Sequence, residues 1–276
     1  MDFDNAKRLV TFIFAGFAVL ELVRGRFWFR EQTSRKDLIL DVAGTTVLPV
    51  LVVPLIFTLA SALAEGIVPD SAGMLAWLPS GVMFGLLLLV DDLTQYGWHR
   101  LSHSSWLYPL HRAHHSAGYL SVRVVYRNHL IYYLFMPGLW LSGVAIYWGF
   151  GGVYAVYVVL KMTVIIGAHS SVAWDAPLYD RFPRLMWVVE RLISTPATHS
   201  AHHGLHESDG ITHYKGNYGN FLFLWDVLFG TAHITRKRPE TFGIEGLEHV
   251  TWVQELLVPT AARRKSCAAA RSSEPL

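Results

Sequence analysis

The sequence predicts an all-α fold: an integral-membrane helical bundle of about four to five membrane helices in hairpins, with a cytosolic helical cap. Three observations carry this. Of 276 residues, 52% are hydrophobic and only 16% charged, against roughly a quarter charged in an ordinary soluble domain. The apolar residues gather into stretches close to the ~20 residues a helix needs to cross the hydrocarbon core. All 14 histidines follow residue 98, outside those stretches or at their edges.

The first stretch, Leu9–Val23, follows Lys7 and Arg8 and superficially resembles a signal peptide. No small-residue cleavage site follows it, only Arg24, Arg26 and aromatic residues, which favours a retained membrane segment. Leu38–Ala64 is long enough to span, with Asp41 near one end and Pro49 and Pro54 inside. Neighbouring helices can satisfy the carbonyls that those prolines free. Leu75–Val90 continues into Asp91, Asp92 and Trp98, so this helix leaves the lipid before His99. A second hairpin runs from about Leu130 to Tyr147, turns over Gly149–Gly152 and returns through Val153–Ala168. Lys161 lies inside the returning arm. It reads more readily as a lysine snorkelling from a tilted helix than as a buried charge facing a cavity.

Charge gives the sidedness. No Lys or Arg lies between Lys36 and Arg100, and the loop around Glu65 and Asp70 is acidic. Arg24–Lys36 holds five basic residues, so the positive-inside rule places it and His99–Arg127 on the cytoplasmic side. The second hairpin returns the region after His169 to that side. Only Leu9–Val23 is ambiguous, because Lys7 and Arg8 compete with the basic residues after it. The expected organisation is N-terminal membrane helices over 1–98 and a first cap segment over 99–129. A membrane hairpin over 130–168 and a second cap segment over 169–260 follow, then a polar, disordered tail over 261–276. The net charge of +2 gives no case for nucleic acid. The single cysteine, Cys267, excludes a disulfide framework within one chain.

The histidines fall in a pattern. His99 and His103 stand in WHRLSH, then His111, His114 and His115 in LHRAHH. His199, His202 and His203 repeat the H-x-x-H-H spacing in THSAHH. Chance yields that spacing at a given start about once in 8,000. Residues at i and i+3 or i+4 share a helix face, so His99 pairs with His103. His111 pairs with His114 or His115, and His199 with His202 or His203. Neutral imidazole ligates iron, zinc or copper. Eight imidazoles exceed the four ligands of one structural zinc and suit two metals with open positions. Asp226, or Asp92 two helical turns before His99, is placed to orient a ligand histidine through its second ring nitrogen.

The series HRLSH, HRAHH and HSAHH resembles the three boxes of the fatty acid hydroxylase / sterol desaturase superfamily. STPATHSAHH, GNYGN and FLWDVLFGT resemble that family's later signature, and the likeness runs roughly over Trp98–Thr231. It implies a membrane enzyme with two iron ions, and O2 as co-substrate for hydroxylating or desaturating a lipid, sterol or similar apolar substrate. Electrons would come from an external donor, a ferredoxin- or cytochrome-type protein with its reductase. The likeness adds His169, in GAHSS, to the ligands, completing a set of His99, His103, His111, His114, His115, His169, His199, His202 and His203. No catalytic residue beyond the ligands is expected. An apolar substrate would enter laterally from the bilayer, its target carbon beneath the cap.

His129, in YRNHL, is left outside the ligand set. His206, His213, His233 and His249 match no box and read as surface or packing residues. Asn217, Tyr218 and Gly219 read as a turn. Two alternatives compete with an oxygenase. A membrane zinc hydrolase would carry H-E-x-x-H, which is absent. A metal transporter or other non-enzymatic metal-binding membrane protein would place its ligands inside the spans, whereas these boxes lie outside them.

Overall fold

The computed structural model describes residues 1–29, 31–247 and 250–258. His249, Cys267 and the expected disordered tail lie outside them. Among the described residues fourteen α-helices follow in order: α1 (Phe3–Val23), α2 (Arg35–Val47), α3 (Val53–Ile67), α4 (Ser80–Leu87), α5 (Thr94–Ser102), α6 (Tyr108–His115), α7 (Leu130–Leu134), α8 (Pro137–Ala145), α9 (Gly151–His169), α10 (Ala176–Arg181), α11 (Pro183–Leu192), α12 (Pro196–His203), α13 (Leu224–Phe229) and α14 (Trp252–Leu256). Among the described residues, the extended pairings are two isolated bridges, Ile193 with Leu222 and Gly204 with Phe242.

π-helical turns at Leu48–Val52 and Leu88–Leu93 join α2 to α3 and α4 to α5 without breaking helical direction. Pro49 lies within the first and Pro54 just after it. The wider turn accommodates prolines that lack a donor for the regular ladder. Arg35–Ile67 and Pro137–His169 are each long and apolar enough to cross a membrane. Val50, Leu51, Leu55, Leu59, Leu63 and Ile67 lie exposed along the first.

The second stretch is a hairpin and not one rod. The chain reverses at Gly149, whose φ of 114° lies outside the helical region and suits glycine. Asp91 pairs with Lys161 of α9, Oδ2 to Nζ 2.5 Å. A Cβ on Gly138 of α8 would lie 2.7 Å from the same carboxylate. On one straight helix those two positions would stand ~35 Å apart. Lys161 is therefore a buried, paired charge, not a snorkelling one. Its ammonium is held by that carboxylate inside the bundle.

Two further boundaries differ from expectation. The third apolar helix starts at Ser80, after Pro79, not at Leu75. The arm expected from Leu130 is broken: α7 stops at Leu134 and Met136 is extended. Proline disfavours helical geometry in the residue before it.

The bundle has two ends. At one, Gly73 N and Leu75 N donate to the Tyr147 and Trp148 carbonyls, each at 2.9 Å, joining the 68–79 connection to the Gly149 reversal. At the other lie the histidine segments. There Glu21, late in α1, accepts from Ser121 Oγ (2.6 Å), Val122 N (3.2 Å) and Ser171 N (2.8 Å). Arg127 reaches Asp37 (2.7 Å) and Asp41 (3.3 Å), and Arg123 also reaches Asp41 (2.7 Å). These buried pairs fasten the segment after the second box to the start of α2. The chain thus makes five helical passes (α1, α2–α3, α4–α5, α8, α9) that deliver its box-bearing segments to one end.

Candidate metal centre

Helical spacing sorts the histidines. His99 and His103 project from the end of α5, one turn apart. α6 begins at Tyr108 with Pro109 in its first turn. α12 is started by Thr195, which caps it in a reciprocal pair with Thr198, and by Pro196. His169 is the last residue of α9.

The nine form two groups. His99, His103, His111, His115 and His202 bring one ring nitrogen each to within 4.8 Å of one another. His114, His169, His199 and His203 do the same. In each H-x-x-H-H box the i,i+4 pair stays together and the i+3 residue crosses over, so His114 and His202 join the opposite group from their neighbours. The groups abut: the His115 and His203 rings stack with centroids 4.4 Å apart.

Hydrogen bonds fix which nitrogen faces inward. His99 Nδ1 meets the Tyr218 carbonyl at 2.6 Å, His202 Nδ1 that of Gly216 at 2.7 Å, and His111 Nδ1 the Asn128 Oδ1 at 2.8 Å. His114 Nδ1 meets the Val124 carbonyl at 3.1 Å and His169 Nδ1 that of Ile165 at 2.8 Å. Against a carbonyl oxygen each Nδ1 must carry the proton, so each Nε2 presents a lone pair. Yet His99 Nε2 and His202 Nε2 stand 3.0 Å apart, and His114 Nε2 and His169 Nε2 3.4 Å apart. Facing lone pairs repel unless a cation lies between them. His199 Nε2 likewise stands 2.9 Å from His169 Nε2, and His103 Nε2 is buried without a hydrogen-bond partner. The residues fit a metal ion in each group.

The electrostatics agree. Burial holds His103, His111, His114, His115, His199, His202 and His203 well below the ordinary imidazole value, and neighbouring rings push the same way. Burial likewise lowers His99 to about 4. All are neutral at pH 7, as metal ligation requires.

The two aspartates act elsewhere than expected. Asp226 touches no imidazole; it accepts from Tyr218 N (2.8 Å), Gly219 N (2.6 Å) and Thr231 Oγ1 (2.6 Å). It holds the turn whose Tyr218 carbonyl receives His99. Asp92 accepts from Trp225 Nε1 (2.8 Å) and Leu222 N (3.2 Å), tying α13 to the π-helical turn, because its side chain points from the helix towards that segment rather than along it to His99.

Sequence reasoning missed the roles of Asn128, Gly216 and Tyr218. Asn217, at φ 55°, donates to the Thr198 and His233 carbonyls (2.8 and 2.9 Å) and locks the turn against α12. At Gly216 a Cβ would lie 2.3 Å from the Thr231 carbonyl oxygen; only glycine fits. The adjacency of H-x-x-H-H to GNYG was the available signal, but carbonyl acceptors leave no side-chain trace. His129 is buried and caps α7, accepting from Ile131 N at 3.1 Å. His206, half-exposed, faces Glu245 at 3.5 Å, and His213 packs on His233 with centroids 5.0 Å apart. None of these joins either group.

Comparison with known proteins places these segments. The chain is 28% identical over 287 residues to a very-long-chain aldehyde decarbonylase of Oryza sativa subsp. japonica, covering 95% of this chain and 42% of that protein. It is 29% identical over 183 residues to the ornithine lipid hydroxylase OlsE of Rhizobium tropici, covering 66% of this chain and 51% of that one. The chain thus spans about half or less of these relatives' lengths. No solved structure matches. The fatty acid hydroxylase profile matches residues 84–231, more than half the chain and every histidine of both groups; the chain belongs to the fatty acid hydroxylase family.

Proposed function

We propose that the chain is a membrane-bound di-iron oxygenase that hydroxylates or desaturates a C–H bond of a lipid or sterol-like substrate. The carrying observation is the pair of facing Nε2 lone pairs, His99 with His202 and His114 with His169, one pair in each all-imidazole group. The five-histidine group would hold one iron and the four-histidine group the other. Bound iron supplies O2 activation and attack on an unactivated C–H bond.

The chain's own residues do the rest. Carbonyls of Gly216, Tyr218, Val124 and Ile165, with Asn128, aim the rings, and burial keeps them neutral and excludes bulk water. His103 alone in the nine is not fully buried, and it marks the more open side of the five-histidine group. In hydroxylation one oxygen atom enters the product and the other leaves as water, with electrons from an external ferredoxin- or cytochrome-type donor. The five passes are read as membrane crossings, and the basic Arg24–Lys36 segment puts the histidine end on the cytoplasmic face.

Metal analysis of the purified chain, with O2 uptake on reduction, tests this. About two irons per chain with O2 consumption is the expected result. One zinc and no O2 consumption overturns it. Mass spectrometry of lipids with and without the gene then separates gain of an oxygen from loss of two hydrogens.

A further inference from the structure

α1 packs on the end of the bundle that carries the histidines. Its Phe14, Phe17 and Ala18 lie against an apolar cluster of Val122, Val125, Ile165 and Ile166. Glu21 comes one turn after Phe17 on the same helix face, yet it is a carboxylate with 0% exposure. A buried carboxylate is costly unless donors meet it. The donors here are one hydroxyl and two backbone amides. Ser121 Oγ donates to Oε2 at 2.6 Å, and Val122 N and Ser171 N donate to Oε1 at 3.2 and 2.8 Å.

Those donors stand behind two ligands of the four-histidine group. Ser121 and Val122 open the short helical turn Val122–Val124, and Ser121 Oγ caps it by accepting from Arg123 N at 3.3 Å. The Val124 carbonyl of that turn receives His114 Nδ1. Ser171 follows His169 by two residues, just past the end of α9. His114 and His169 face one another in this group, Nε2 to Nε2 at 3.4 Å. One carboxylate therefore binds the main chain behind both members of the pair. The residues after α1 brace the same two segments: Ser171 Oγ donates to the Arg26 carbonyl and Arg123 Nη1 to that of Phe27, each at 2.8 Å.

We propose that Glu21 is a positioning residue of the four-histidine site. It sets the separation of His114 and His169 through the main chain, as Asp226 sets His99 through the Tyr218 turn. Glu21 lies outside residues 84–231, which the family profile matches, so family membership assigns it no part. The assignment rests on the reading that each group holds a metal ion, and on no property of the substrate.

The test measures metal content of the purified chain after exposure to a chelator that the unaltered chain resists. Glu21→Ala should weaken retention at one site by about 10- to 100-fold, leaving about one metal of two. Glu21→Gln keeps an oxygen for Val122 N and Ser171 N and should recover most of the loss. Two backgrounds show which site is touched. With His202→Ala, which leaves the four-histidine site loaded, adding Glu21→Ala should release the remaining metal. With His203→Ala, which leaves the five-histidine site loaded, it should release nothing more. A merely structural role would loosen both alike. Ser121→Ala removes only the hydroxyl and carries the same comparison, with a smaller loss, should Glu21→Ala not fold. Unchanged retention, or equal release in both backgrounds, overturns the proposal. Two zinc ions without O2 uptake in the unaltered chain overturn the oxygenase reading alone, because retention is read equally well with zinc. An unaltered chain that binds no metal overturns both.

Discussion

His99 and His202 face one another through Nε2 at 3.0 Å while each turns Nδ1 to a backbone carbonyl, of Tyr218 and Gly216. Both carbonyls belong to one short turn, so a single loop sets two imidazoles from different boxes.

Because H-x-x-H-H divides between the groups, neighbouring substitutions should empty different sites. His202→Ala removes a ligand from the five-histidine group and His203→Ala one from the four-histidine group. Each should reduce bound metal from about two towards about one per chain, read by elemental analysis. His213→Ala should leave the content unchanged. Equal loss in all three would show that the histidines act on folding alone.

Asn128 is the side-chain acceptor for His111. Asn128→Ala should weaken metal retention against a competing chelator by about 10- to 100-fold. Asn128→Asp retains an acceptor and should recover most of it. Indifference to either substitution would refute the orienting role.

Asp226→Ala leaves Tyr218 N and Gly219 N without their acceptor. A cost of about 1–3 kcal/mol for an unpaired buried donor is expected, as a lower unfolding temperature. Metal content should fall with it, because the Tyr218 carbonyl moves. Loss of stability with full metal content would separate the turn from the site.

Lys161→Met strands the Asp91 carboxylate inside the bundle. Destabilisation of about 3–5 kcal/mol is expected. Lys161→Met with Asp91→Asn removes both charges and should regain most of the loss. A double variant no better than the single would mean that the pair is not coupled.

The histidines were legible in the sequence because helical spacing is periodic and imidazole is rare; the structure brings all nine into two groups. Their division was not legible. The i+3 and i+4 members of one box lie close on a helix, and only the approach of α6 to α12 decides between them. Asp226 was legible as important but not in what it does, since its partners are backbone amides. Lys161 illustrates the converse limit. An isolated charge in an apolar run carries no sign of its partner seventy residues earlier in Asp91. The break at Pro137 follows from proline chemistry, yet the apolar composition runs straight through it.

Four of the five oxygen atoms that steer imidazoles here belong to the main chain, at Val124, Ile165, Gly216 and Tyr218. A codon change cannot delete a peptide carbonyl. Mutational drift can therefore remodel the apolar walls while the steering survives, and Asn128 is the one direct acceptor that a single missense change can rewrite. Diversification of the surroundings on an unaltered histidine cradle is what such a division of labour permits.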